Sequence, residues 1–253
     1  MILNLSAFDG YSVHGLDGEL GRLRDVYFDD FHWTVRYLVV ELEENGANRP
    51  ALIAPYALER VDREARAVTV HLDRAKVLAS PTIRLDRPIS LQDHVDLHND
   101  YGWPFDWGPT STSGVGAGNL LASHPLIESQ SEAGRLPTPP EQADDQNLRS
   151  LAEVTGYHLQ ARDGQIGRLD DLLANTQDWN VLYLVVDAGG WLGGRKVLLS
   201  PTWIEAVDWA AASIRIDLSW STIQNSPAFD PAVPFDDEYT QRLSEHYGER
   251  RDC

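Results

Sequence analysis

The chain has 253 residues and a formal net charge of −18, from 39 acidic and 21 basic residues. This acidic excess argues against a nucleic-acid-binding protein and against unaided attachment to anionic lipid, because both depend on Lys and Arg. No segment reaches the roughly 20 apolar residues of a membrane-spanning helix, the N-terminus has no signal-peptide pattern, and the single cysteine, Cys253, cannot form an internal disulfide, so we expect a cytoplasmic protein without a membrane span.

The sequence matches itself when it is shifted by 146 positions. Gly10 and Tyr11 recur as Gly156 and Tyr157, and longer identical runs follow. A period of this length indicates a duplicated domain, so we call the matching regions the first and second half and positions 146 apart equivalent. The segment between them is rich in Ser, Gly, Pro and Thr, which predicts a flexible linker. The predicted parts are a first domain at residues 1–107, a linker at 108–147 and a second domain at 148–253.

Each half is predicted to form short strands and tight turns. Asp17-Gly18 and Asp163-Gly164 indicate hairpin turns, and the glycine early in the next strand is typical of a bulge or a barrel corner. The following Tyr-Leu-Val-Val run is apolar throughout, as in a strand covered on both faces. The last strands alternate apolar and polar residues, which predicts one solvent-exposed face. The predicted strands are residues 20–28 and 166–173, 35–42 and 181–187, 50–54 and 195–200, and 68–72 and 214–218.

Each half is predicted to end in a helix. Ser90 with Asp93 three residues later resembles a capping box. Leu97 and Tyr101 share a face of this helix, and Tyr239, Leu243 and Tyr247 have the same spacing in the second half. Each apolar stripe is expected to pack on its own barrel or on a neighbour.

Both halves resemble the PRC-barrel family, which is named after the cytoplasmic domain of the photosynthetic reaction centre H subunit. Two runs carry the resemblance. The first is Asp-Gly-x-x-Gly-Arg-Leu-x-Asp at residues 17–25 and 163–171, and the second is Trp-x-Val-x-Tyr-Leu-Val-Val at 33–40 and 179–186. The resemblance implies a mainly β fold of two small barrels, each with a C-terminal helix. It also implies an assembly or interaction role. The segment at residues 189–201 looks like the family's central hairpin, whereas the first half departs from the pattern there.

Few polar residues recur in both halves. Asp17 and Asp163 are interpreted as turn residues. Asp25 and Asp171 could form an acid–base pair with an arginine, but ion pairs at the surface or at strand ends, with Arg22 and Arg168, are the better interpretation. We find no nucleophile elbow, phosphate-binding loop or dinucleotide fingerprint, so we expect no catalytic residue and no cofactor.

A pair of histidines is the only metal-ligand pattern that we single out. His94 and His98 lie four residues apart on the predicted helix and could chelate a metal. Their equivalents are Thr240 and Ser244, and the intervening residues lack the Glu of a zinc-protease helix, so we expect no metal site.

The functional hypothesis is a non-catalytic interaction or assembly module with an unidentified protein partner. The alternatives are a soluble accessory factor of a membrane electron-transfer complex and, third, an enzyme. The halves are expected to pack as a pseudo-twofold pair that imitates a homodimer, or the chain to form a homo-oligomer. Aromatic residues that differ between the halves are candidate interface anchors, or else complete the cores. They are Trp103, Phe105, Trp107, Trp191, Trp203, Trp209 and Trp220.

Overall fold

The computed structural model describes residues 1–44, 47–81, 89–103, 147–189, 194–231, 233 and 235–248. The predicted linker lies outside the described residues except for Asn147. The candidate interface residues Phe105, Trp107 and Trp191 also lie outside the described residues, as does Cys253.

The chain is mainly β, as predicted, and the two halves contain corresponding elements. The first half contains β1 (Ile2–Asn4), β2 (Ser12–Gly15), β3 (Gly18–Asp29), β4 (Thr34–Glu44), β5 (Ala47–Ile53), β6 (Leu58–Asp62), β7 (Ala67–Val70), α1 (Arg74–Ala79) and α2 (Leu91–Tyr101). The second contains β8 (Leu148–Ser150), α3 (Leu151–Val154), β9 (His158–Ala161), β10 (Gly164–Asn175), β11 (Val181–Asp187), β12 (Lys196–Leu199), β13 (Ile204–Asp208), β14 (Ser213–Ile216), α4 (Trp220–Gln224) and α5 (Asp237–Tyr247).

Two seven-stranded sheets with the same strand order form the body of the protein. The first runs β5-β4-β3-β2-β7-β6 and the second β12-β11-β10-β9-β14-β13. In each sheet one further strand pairs with the long third strand. The two ends of each path are not hydrogen-bonded to each other among the described residues. The sheets are therefore open, and the prediction of closed barrels is not confirmed.

The Tyr-Leu-Val-Val run is covered on both faces, as its composition predicts. In β4, Leu38 and Val40 point into a core that spans both halves of the chain. Tyr37 and Val39 point the other way, against Leu97 of α2. All four strand residues are at most 1% exposed. The terminal helix α2 therefore packs on its own sheet, and α5 packs on its own sheet through Tyr239 and Leu243 in the same way.

A glycine early in β3 and β10 allows neighbouring strands to approach closely. A Cβ atom at Gly21 would overlap the carbonyl oxygen of Glu41, and one at Gly167 would overlap that of Asp187. The pairing of β2 with β3 and of β9 with β10 shifts register beside these glycines. Because the extra residue bends the strand, the predicted bulge is confirmed in both sheets.

Two short strands cross from one half to the sheet of the other. At the N-terminus, β1 pairs with the end of β10 in the second half, with Leu3 opposite Ala174. Just before the second half, β8 pairs with the end of β3 in the first half, with Arg149 opposite Phe28. We call residues 1–6 and 147–152 the exchanged arms. The two pairings are equivalent position by position, so each half contributes a strand to the other.

Candidate functional site

The halves meet at two loops that make reciprocal hydrogen bonds. The N–H of Val35 donates to the carbonyl oxygen of Trp179 at 2.8 Å, and the N–H of Val181 donates to that of Trp33 at 2.7 Å. Both tryptophans have a positive φ, 54° and 60°, a conformation rarely adopted by large side chains. The equivalent contacts of equivalent residues are the pattern that a pseudo-twofold relation produces.

Asp25 and Asp171 hold the exchanged arms. The side chain of Asp25 accepts from the hydroxyl of Ser150 at 2.5 Å and from the N–H of Ala152 at 3.2 Å. The side chain of Asp171 accepts from the hydroxyl and the N–H of Ser6, at 2.5 and 2.9 Å. Burial raises the pKa of both carboxyl groups, although the hydrogen bonds from the other half act in the opposite direction.

The ion pairs predicted for these aspartates are wrong. Among the ion pairs between described residues, none joins Asp25 to Arg22 or Asp171 to Arg168. Arg22 instead donates to the carbonyl oxygen of Gly10 at 3.4 Å. The sequence does not indicate the hydroxyl donors to these aspartates, because Ser150 and Ser6 do not occupy equivalent positions. Their structural role is shown by the hydrogen bonds that they accept from the other half.

Asp17 and Asp163 also serve the backbone. The carboxylate of Asp17 accepts from the N–H of Arg74 at 2.9 Å, at the start of α1. The carboxylate of Asp163 accepts from the N–H of Trp220 at 2.6 Å, at the start of α4. Each aspartate therefore ties its hairpin turn to a short helix that the sequence did not predict, and a negative charge there is favourable.

His94 and His98 lie on the face of α2 that covers β4. The hydroxyl of Tyr37 is 2.9 Å from Nδ1 of His94 and 3.0 Å from Nε2 of His98, and all three side chains are buried. One hydroxyl can donate to one imidazole and accept from the N–H of the other. We call these three residues the tyrosine–histidine cluster.

Within the described ranges, no group of three or more His, Cys, Asp or Glu side chains is placed to hold a metal ion. The histidine pair contacts aromatic residues. The ring of Tyr37 stacks on that of His94 with centroids 5.4 Å apart. The ring of Trp103 meets His98 edge-on at 5.8 Å and stacks on Tyr101 at 4.2 Å. The start of the predicted aromatic tail thus packs against the terminal helix.

The second half has an apolar arrangement at the equivalent place. The ring of Tyr183, which is equivalent to Tyr37, lies 5.6 Å from that of Phe235. Phe235 in turn contacts Tyr239 at 5.5 Å. The hydroxyl of Tyr239 donates to the carbonyl oxygen of Pro227 at 3.1 Å. The sequence signal for this difference is the replacement of both histidines by Thr240 and Ser244.

The remaining candidate tryptophans are at least partly buried. Trp203 and Trp209 are partly buried against the central core, and Trp220 is also partly buried. None of the tryptophans that the structure describes is exposed. Their alternative role as core residues is therefore favoured over that of free interface anchors.

A cleft of about 330 Å³ lies where the two loops meet. The first half contributes the start of β4, the turn after β5 and His98 of α2. The second half contributes the turn between β10 and β11. The polar side chains that line it include Arg36, Tyr56 and Asp178.

An ion pair beside the cleft was missed from the sequence. Arg36 lies 3.2 Å from the buried carboxylate of Asp29. Burial acts to raise the pKa of Asp29, but the backbone N–H of His32 and the charge of Arg36 outweigh it, so the pKa is lowered. The second half has Asn175 and Leu182 at the positions of Asp29 and Arg36. A comparison of the two halves therefore indicates the ion pair, because both charged residues are replaced by uncharged ones.

No protein-family model matches this chain, and no curated protein shows significant similarity to it. Among the described residues, no helix is long and apolar enough to cross a membrane. The PRC-barrel resemblance therefore rests on the two sequence runs alone.

Proposed function

We propose that this chain is a non-catalytic assembly module of the tandem PRC-barrel type that binds a protein partner. One observation carries the proposal. The aspartates common to both halves all accept hydrogen bonds that hold turns, short helices or exchanged arms; they are the equivalent pairs Asp17 and Asp163, Asp25 and Asp171, and Asp62 and Asp208. Polar groups that the repeat retains thus maintain the fold, whereas a catalytic repeat would be expected to retain groups that face a substrate.

A domain duplication accounts for the equivalence of the halves. The proposal is supported by the identical strand order, the equivalent bulges and the reciprocal contacts of Trp33 and Trp179. In this view each half is a PRC-like unit at residues 1–107 and 148–253, and the linker joins two units that once met as a homodimer. A reciprocal interface of equivalent residues is typical of a twofold dimer.

The proposed partner surface includes Phe31, in the turn between β3 and β4. Its side chain is 68% exposed, unlike the described tryptophans. Exposed aromatic side chains are typical anchors of protein interfaces. The backbone around it is held in place, because the N–H groups of Phe31 and His32 both donate to Asp29 at 2.8 Å. A rigid turn loses little conformational entropy on binding.

Affinity capture with the full chain tests the proposal. Baits are the wild type, Phe31→Ser and the matched control Leu16→Ser, whose side chain is also 68% exposed. Soluble and membrane fractions of native lysate are kept apart, and captured proteins are identified by mass spectrometry. We expect a stoichiometric partner with the wild type and Leu16→Ser, and its loss with Phe31→Ser.

The other outcomes separate the alternatives. Capture of electron-transfer subunits from the membrane fraction alone would favour an accessory factor of such a complex. Absence of a stoichiometric partner from both fractions, together with a small molecule that the purified protein turns over, would favour an enzyme and overturn the proposal.

A further inference from the structure

The cleft between the halves carries chemistry that the equivalent place of the repeat does not. Tyr56 and Asp178 both line it. The residue equivalent to Tyr56 is Thr202, and the residue equivalent to Asp178 is His32. At these two positions the equivalent place therefore has a threonine and a histidine instead of an aromatic ring and a carboxylate.

The charges at the cleft leave one carboxylate uncompensated. The guanidinium of Arg36 faces the carboxylate of Asp29 at 3.2 Å, so their charges offset each other. Asp178 takes part in none of the ion pairs between described residues, and its Oδ1 accepts from the N–H of Asn180 at 3.1 Å. With a net charge of −18 on the whole chain, the cleft lies in a field that attracts cations and repels anions.

Aromatic and apolar groups form the walls. The cleft is lined by Trp179, Tyr56, Pro55 and Leu58. Tyr56 is 47% exposed, whereas Trp179 is buried and packs against Phe8, with ring centroids 6.1 Å apart. Binding of a cation with apolar substituents is favoured both by the face of an aromatic ring and by a nearby carboxylate. The volume of about 330 Å³ lies at the lower end of the range for small-molecule sites.

We propose that this cleft binds a small organic cation, a substituted ammonium ion whose charge faces Asp178 and whose apolar group lies between Tyr56 and Leu58. The site needs both halves, because Asp178 and Trp179 come from the second and Tyr56 and Leu58 from the first. A ligand there would bridge the halves beside the reciprocal loop contacts. This proposal is independent of the assembly role.

Three probes of similar size test the charge preference on the full chain. They are benzylammonium, benzyl alcohol and benzoate, titrated while binding is followed by saturation-transfer NMR and by the shift of the Trp179 indole N–H. We expect saturable binding of benzylammonium, several-fold weaker binding of benzyl alcohol and the weakest binding of benzoate. Preference for benzoate, equal binding of all three or no saturable binding overturns the proposal.

A conservative variant tests the role of the carboxylate. Asp178→Asn keeps an oxygen that can accept from Asn180, so the turn should be retained. We expect benzylammonium to bind about three- to fivefold more weakly, as for an exposed charge contact. The matched control is Glu205→Gln, a surface carboxylate of β13 paired with Arg215 at 3.7 Å, which should bind the probe like the wild type. An equal loss in both variants, or none in Asp178→Asn, would contradict the assigned site.

Discussion

The faces beneath the two terminal helices differ in chemistry although their backbones correspond. In the first half, α2 places His94 and His98 on the hydroxyl of Tyr37. In the second half, Tyr183 contacts the ring of Phe235, which lies just before α5 and packs on Tyr239 of that helix. The strand pairing of the exchanged arms and the aspartates that hold them, in contrast, are equivalent in both halves. The backbone contacts between the halves are therefore symmetric, whereas the outer faces differ.

This comparison implies that the two halves unfold together as one cooperative unit. A single cluster of buried side chains includes Leu5 of the first half and Leu151 at the equivalent position. Each lies in an arm, directly after the strand that pairs with the other half's sheet. Loss of either side chain should therefore weaken both sheets together.

The largest expected effect comes from shortening these two leucines. Leu5→Ala and Leu151→Ala should each lower the free energy of unfolding by about 2–5 kcal/mol, because each leaves a cavity in the common core. Urea unfolding followed by circular dichroism and by tryptophan fluorescence should give coincident single transitions. Leu16→Ala, at an exposed position, should change stability by less than about 0.5 kcal/mol. Two separate transitions in either core variant would show that the halves unfold independently.

A smaller loss is expected when an arm loses its acceptor. Asp25→Ala and Asp171→Ala should each cost about 2 kcal/mol, because the arm's hydroxyl and N–H donors lose their partner. The two losses should be similar, since each carboxylate accepts one hydroxyl and one backbone N–H from the other half. Asp25→Asn and Asp171→Asn keep an acceptor oxygen and should lose less. A large loss on only one side, measured by chemical denaturation, would break the symmetry that the arms indicate.

The pH dependence of stability tests the direction of the pKa shifts of Asp25 and Asp29. The folded chain raises the pKa of Asp25 above its ordinary value of 3.8. Its contribution to stability is therefore full below that value and is lost as pH rises through the folded pKa. The stability of Asp25→Asn relative to the wild type should thus increase with pH. Asp29, whose pKa is lowered, should behave oppositely, because its stabilisation is lost as pH falls. Equal slopes for Asp25→Asn and Asp29→Asn would contradict these assignments.

Sequence patterns predicted the elements that are determined by residues close together in the sequence. The composition of residues 37–40 predicted a strand buried on both faces, and Ser90 with Asp93 does form a capping box at the start of α2. The hairpin at Asp17 and the early bulges were also predicted correctly. In each case the signal is periodicity or turn chemistry within a few residues.

The exchanged arms could not be predicted in this way. Three-residue strands such as β1 carry too little periodicity, and their pairing depends on which half lies beside them. The register of the sheets, the open ends and the cleft likewise depend on contacts between residues far apart in sequence. A comparison of the two halves does indicate one side-chain contact. Both Asp29 and Arg36 are replaced by uncharged residues in the second half, as expected for an ion pair.

The smallest expected effect compares the equivalent tyrosines. Tyr37→Phe should cost about 1 kcal/mol or slightly more, because the buried imidazoles of His94 and His98 lose the hydroxyl between them. Tyr183→Phe, on the apolar face of the second half, should cost less than about 0.5 kcal/mol. Because replacing both sides of a polar contact is less costly than removing one, adding His94→Leu and His98→Leu to Tyr37→Phe should recover part of the loss. If Tyr37→Phe and Tyr183→Phe gave the same denaturation midpoint, the cluster would add nothing to stability, and its two histidines would need an explanation beyond packing.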